Sequence, residues 1–189
     1  MFAIIYSVAQ IADVLGLLPA VWNLVLLFAP SLPLSWCFVV LMVSIHYYAP
    51  TERRVWSHIG LIFATMYAVF ASIVYFIELT VVVPHMFSGE AEKVGLFLFI
   101  PGSFMTGLDA LAYCFMSLAT LFAAPVFGGG KLQRWIRWAF IANGVLAPAI
   151  LLVQVLPGLL IVGALWLVTF PLSAVLAIAL FKRLSLEAA

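Results

Sequence analysis

The chain has 189 residues, of which 67% are hydrophobic and 8% are charged, and its net charge is +1 at pH 7. A soluble domain of this length needs a charged, wettable exterior, so the composition excludes that class and indicates a polytopic integral membrane protein. The sequence also lacks a polybasic tract, so we expect no nucleic-acid partner.

Proline, glycine and charged residues divide the chain into six apolar segments. We predict that all six are helices, because an isolated strand cannot satisfy its backbone polar groups in hydrocarbon. The first segment has no basic residues before it, so we expect a permanent span rather than a removable signal peptide. The predicted spans of this all-α bundle, a single transmembrane domain, are residues 3–28, 34–48, 56–83, 103–124, 135–156 and 159–181.

The basic residues predict how this bundle is oriented. With six full spans, seven of the eight basic residues fall on one face, and only Lys93 falls on the other. Positively charged loops stay in the cytoplasm, so we expect both termini there and the protein in a cell membrane, such as the bacterial inner membrane. The second segment is short, and a re-entrant segment is the alternative. That alternative is less favoured because it moves Arg53 and Arg54 away from the other basic residues.

The connection between the third and fourth spans has its own pattern. Residues 90–100 predict a short interfacial helix that ends at Pro101 and Gly102, with Ser103 capping the next span. An ordinary loop and a lid over a cavity are the two alternatives for its role.

Small and polar residues recur at helical spacing on the third and fourth spans. At 100° per residue they share one face of each helix, and small residues mark close helix contacts in membranes, so we expect both faces to point inward. On the third span these residues are Gly60, Ala64, Tyr67, Ala71, Tyr75 and Glu78. On the fourth span they are Gly102, Thr106, Asp109, Tyr113, Ser117, Thr120 and Ala124.

Two other spans contribute polar residues. Asp13 lies on a polar face of the first span, with Asn23 at its edge, and Asn143 lies on the fifth span. We expect these faces to converge on one interior that is more polar than the lipid-facing exterior.

The acids in this interior have no basic neighbour within their spans. Intramembrane acids often bind protons, ions or ligands. We therefore predict a site in which Glu78, Asp109 and Asp13 are proton or cation groups, Tyr75 and Tyr113 support them by hydrogen bonds, and Asn143 completes the polar lining. The alternative is that protonated acids only hold the helices together.

Other chemistry has little support in the sequence. The histidines and the isolated Cys37 and Cys114 match no metal-binding spacing, and no named catalytic motif is present. We therefore predict no metal, no cofactor and no assigned catalytic residue, and a non-enzymatic role is favoured.

The function that this pattern predicts is transport or binding of a small solute or ion, linked to protons or cations. Two alternatives remain open: a membrane-embedded enzyme acting on a lipid or isoprenoid, and a non-catalytic accessory or lipid-binding subunit. Membrane lipids and a small solute or ion are the expected partners, and a homo-oligomer or a partner subunit is compatible with the sequence.

Overall fold

A computed structural model of the protein describes residues 19–187, in which all regular structure is helical. The α-helices are α1 (Ala20–Tyr48), α2 (Arg54–Ile77), α3 (Val83–Phe87), α4 (Phe104–Ala123), α5 (Lys131–Gly144), α6 (Ala147–Leu152), α7 (Leu160–Ala164) and α8 (Trp166–Glu187). A π-helical turn, Glu78–Val82, joins α2 to α3. Short 3₁₀ helices lie at Thr51–Arg53, Ala91–Phe97, Ala124–Val126 and Pro157–Leu159.

Five of the described helical stretches are long and apolar enough to cross a membrane. They are Val21–Tyr48, Thr51–Phe87, Phe104–Val126, Lys131–Leu152 and Pro157–Glu187. The all-α prediction is confirmed for residues 19–187. Most of the first predicted span lies outside the described residues, so the count of six stays a prediction.

The first two predicted spans do not meet where the sequence indicated. Pro30 and Pro33 were expected to separate them, but both lie inside the continuous helix α1. The side chains of Ser31 and Ser35 donate hydrogen bonds to backbone carbonyls of the same helix, and such bonds help a membrane helix to tolerate proline. Residues 34–48 continue this helix, so the re-entrant alternative for them is not seen.

The helix that corresponds to the third predicted span also extends beyond the predicted boundary. Its predicted boundary was Val83, before Pro84, but the helical path continues to Phe87. The backbone N–H of Val83 donates to the carbonyl of Glu78, five residues earlier. Proline removes one hydrogen bond and crowds the carbonyl four residues before it, so the helix widens into a π turn instead of stopping.

Helix α2 packs between α1 and α4, while α4 also contacts α5 and α6, and α5 contacts α8. Helices α2 and α4 approach each other closely at Gly60 of α2, where an added Cβ would lie 2.8 Å from the carbonyl oxygen of Ala119. Only glycine permits this spacing, which brings the inward faces of α2 and α4 together.

One end of the bundle carries most of the basic residues, and we call it the basic end (residues 48–54, 124–137 and 181–187). There Arg53 donates to the carbonyl of Pro125 at 3.1 Å, and Gln133 donates to the Tyr48 hydroxyl at 2.6 Å. Tyr48 also contacts the Phe181 ring. At the opposite end, the predicted single short helix over residues 90–100 is instead two short 3₁₀ segments within Ala91–Phe97, joined by a kink at Val94. The Ser103 cap lies at the same end and accepts from the N–H of Thr106.

Candidate functional site

Glu78 is the first residue of the π turn and is completely buried, with 0% of its surface exposed. Neither of its carboxyl oxygens has a hydrogen-bond partner among residues 19–187. Such a group is rare, because buried polar atoms in folded proteins are nearly always hydrogen-bonded. Glu78 is therefore a candidate for binding a ligand or for another role beyond packing.

Asp109 of α4 is close enough to Glu78 for their charges to repel each other. It is 8% exposed, and its Oδ1 has no hydrogen-bond partner in the described part of the chain. The Tyr75 hydroxyl lies near the Asp109 carboxylate. Helices α2 and α4 thus bring two acids from distant parts of the sequence into one site.

The two predicted supporting tyrosines meet beside these acids. The hydroxyl of Tyr75 donates to the hydroxyl of Tyr113 at 3.0 Å. Each tyrosine lies about one helical turn from an acid, Tyr75 from Glu78 and Tyr113 from Asp109. The four residues therefore lie close to one another in the fold.

Aromatic rings enclose the tyrosine pair. Phe28 of α1 stacks on Tyr75 with 5.3 Å between ring centroids, and Trp166 of α8 lies 4.4 Å from Tyr113. Tyr67 approaches Tyr113 at 6.0 Å. Both tyrosines are buried within these rings. The contacts of Phe28 and Trp166 were not predicted, because rings from α1 and α8 reach the site only through tertiary packing.

The predicted inward faces are buried in the structure. On α2 and the π turn, Gly60, Ala64, Tyr67, Ala71, Tyr75 and Glu78 are all buried. On α4 and just after it, Asp109, Tyr113, Ser117, Thr120 and Ala124 are buried as well, whereas Gly102 is exposed and Thr106 half-buried. Gly102 instead has a positive φ of 79° in the turn before α4, a conformation that suits glycine.

Asn143 lies in a different polar cluster. It donates to Thr120 at 3.0 Å and accepts from Thr169 at 2.9 Å, which connects α5 to α4 and α8. Thr120 is eleven residues from Asp109, or about 16 Å along α4. Asn143 therefore does not contact the acid pair. The predicted single polar lining is instead two clusters, one around Asp109 and one around Thr120, at different positions along α4.

The remaining predicted site residue, Asp13, lies outside the described residues. Asn23 is a further candidate site residue. It is 6% exposed, and its Oδ1 has no hydrogen-bond partner within residues 19–187. It belongs to α1, which contacts the π turn. The sequence signal was present, because Asn23 stood at the edge of the polar face of the first predicted span.

Within residues 19–187, no group of three or more histidine, cysteine, aspartate or glutamate side chains could hold a metal ion. His46 and His58 are neighbours, with ring centroids 5.6 Å apart, and His46 also shares a hydrogen bond with Ser57.

The acid pair can exchange protons or hold a small cation, because carboxylates in a dry site otherwise lack a charge partner. The tyrosine hydroxyls beside it can donate and accept hydrogen bonds as a proton moves. Comparisons with protein-family models, curated proteins and solved structures find no match to the chain.

Proposed function

We propose that this protein is an integral membrane protein that moves a proton or a small cation, with Glu78 and Asp109 as the groups that bind it. The basic end faces the cytoplasm in this proposal, since positively charged loops remain on that side. The membrane is a cell membrane, such as the bacterial inner membrane, and the acid pair lies in the half away from the cytoplasm.

The observation that carries the proposal is the unpartnered carboxyl group of Glu78 inside the bundle. An acid that only held helices together would be hydrogen-bonded, since an unsatisfied buried group costs stability. No hydrogen bond within residues 19–187 offsets the free-energy cost of burying the Glu78 carboxyl group. A bound proton would neutralise the Glu78 carboxylate, and a dehydrated cation would pair with its charge. Neither requires a large cavity.

Two irregularities in the helices support a transport role. Glu78 begins a π turn, and such turns occur frequently at functional sites. The stretch Lys131–Leu152 is interrupted at Val145 and Leu146, just after Asn143. Interrupted helices near the membrane midplane are common at ion and substrate sites of transporters.

The polar residues of α4 suggest a route from the acids toward the cytoplasm. After Asp109, the buried hydroxyl groups of Tyr113, Ser117 and Thr120 follow at intervals of three or four residues. Thr120 then contacts Asn143. In this proposal the Ser117 Oγ, which has no partner in residues 19–187, is an intermediate hydrogen-bonding position.

The test is flux through the full-length protein reconstituted in liposomes. Proton entry is followed with a trapped pH-sensitive dye under a potassium diffusion potential, and sodium entry is followed with radioactive sodium. We expect the wild type to exceed empty liposomes in one of the two assays. Glu78→Gln and Asp109→Asn should each reduce that flux at least about tenfold, which corresponds to about 1.4 kcal/mol of lost stabilisation.

The matched control is Glu92→Gln, which changes an exposed acid in the 3₁₀ segment and should leave flux unchanged. Elution of each variant as a folded species in detergent separates loss of transport from loss of structure. The proposal is wrong if the wild type carries neither ion faster than empty liposomes, or if both site variants transport at the wild-type rate.

A further inference from the structure

A long apolar groove runs along the side of the bundle between α1 and α8, away from the acid pair. It encloses about 740 Å³. Its α1 wall includes Leu34, Cys37 and Leu41, and its α8 wall includes Ala174, Ile178 and Lys182. Lys182 is the single charged side chain in the lining, and it lies at the basic end.

One aromatic contact lies in the lining of this groove. Phe38 of α1 meets Phe170 of α8 with 5.4 Å between ring centroids, and both are buried. Near the basic end, Phe181 also lines the groove and meets Tyr48 at 5.8 Å. These two ring contacts connect α1 and α8 beside the groove.

The charge at the end of the groove has no partner in the described residues. No acidic side chain within 19–187 forms an ion pair with Lys182, whereas the adjacent Arg183 pairs with Glu187 at 2.8 Å. Lys182 is exposed, and its ammonium group is therefore available to an anion at the membrane surface. The groove combines an apolar length with a cation at one end.

The length and the charge of the groove match a phospholipid. From Phe170 to Ser185 the α8 wall is about 22 Å long, which exceeds the roughly 15 Å of one leaflet's hydrocarbon. The groove has a cation at one end and an apolar lining along the rest of its length. An anionic phospholipid is complementary to this arrangement, because its phosphate group can pair with the cation while its acyl chain contacts the apolar lining.

We infer that this groove binds one acyl chain of an anionic phospholipid, whose phosphate group lies at Lys182. The acyl chain covers the Phe38 and Phe170 contact, and the headgroup stays at the basic end. This site is separate from the Glu78 site, and its occupancy does not depend on ion movement there.

Native mass spectrometry of the full-length protein tests this inference. The protein is stripped of lipid in detergent and titrated with equal amounts of phosphatidylglycerol and phosphatidylcholine. We expect one phosphatidylglycerol to bind preferentially. Lys182→Gln should weaken that binding about fivefold, which is the effect of one basic residue near an anionic surface, and should leave phosphatidylcholine binding unchanged.

Matched variants separate the groove from the general surface. Ala174→Trp fills the groove and should abolish the preferred binding event, whereas Ala179→Trp, on an exposed part of α8 outside the lining, should not. Arg183→Gln, also outside the lining, should retain the phosphatidylglycerol preference. Equal binding of the two lipids by the wild type, or equal effects of Lys182→Gln and Arg183→Gln, would overturn the inference.

Cys37 offers a second measurement that requires no substitution. It is exposed and lines the groove, whereas Cys114 is buried. Phosphatidylglycerol should slow alkylation of Cys37 by a small maleimide more than phosphatidylcholine does at the same concentration. If Ala174→Trp changes the oligomeric state instead of the lipid count, the groove is a contact between copies and the inference is wrong.

Discussion

At the scale of single residues, Glu78 has two buried side-chain oxygens without a hydrogen-bond partner, whereas Asn23, Asp109 and Ser117 have one such atom each in the described residues. Asn143 and Thr120 bond to each other, and Tyr75 bonds to Tyr113. Both oxygens of Glu78 lack such a partner among residues 19–187. A residue kept for activity often destabilises the fold, because activity and stability select for different side chains.

This contrast predicts a gain of stability when Glu78 is replaced by an apolar residue. Glu78→Leu removes an unsatisfied buried group that costs about 1–3 kcal/mol, so the thermal midpoint in detergent should rise by about 2–4 °C for each kcal/mol regained. Ion flux should be lost in the same variant. Glu52→Leu, at an exposed position of the basic end, should show no comparable rise, and a lower midpoint for Glu78→Leu would indicate a structural acid.

At the scale of helices, the position of the acid pair depends on how closely α2 and α4 approach. Gly60 lies at a close contact between these helices, where an added Cβ would also lie 3.0 Å from the Met42 Cε atom of α1. The neighbouring carbonyl of Ala119 belongs to a helix backbone and cannot rotate away. Any side chain at position 60 therefore has to separate the helices.

We expect Gly60→Ala to destabilise the protein by about 1–3 kcal/mol, the usual cost of overpacking a close contact. The matched control is Gly107→Ala on α4, where an added Cβ meets nothing within 4 Å. That control should be neutral or stabilising by up to about 1 kcal/mol, because alanine is the better helix former. Thermal unfolding in detergent measures both changes, and equal midpoints for the two variants would contradict the close approach.

At the scale of the whole molecule, the helices alternate in direction so that basic residues collect at one end. Contacts between Tyr48 and Gln133 and between Tyr48 and Phe181 place three separate segments there. Lys93 lies in the segment at the opposite end, paired with Glu90 at 2.6 Å. The charge asymmetry predicted from the sequence is thus a property of the folded bundle.

Cysteine labelling in intact cells tests the proposed orientation. In a variant lacking Cys37 and Cys114, Ser88→Cys should react with an impermeant maleimide added outside. Gly130→Cys, which is at the basic end where a new side chain meets nothing within 4 Å, should react only after permeabilisation. Labelling of both positions from the same side would show that α4 does not cross the membrane.

The sequence by itself determined the helical class, the clustering of basic residues and the inward faces of α2 and α4. These properties follow from composition and from the 3.6-residue period, which act within one helix. The same period placed Glu78 near Tyr75 and Asp109 near Tyr113, because residues one turn apart must be neighbours.

Only the tertiary structure decided how these helices meet. Whether Pro30, Pro33 and Pro84 end a helix depends on what compensates each lost hydrogen bond, and here the helical path continues through all three. Asn143 shares a polar character with the acids, yet packing places it against Thr120 and Thr169. The aromatic shell and the groove between α1 and α8 are formed by residues far apart in the chain. A sequence pattern within one helix cannot predict such contacts.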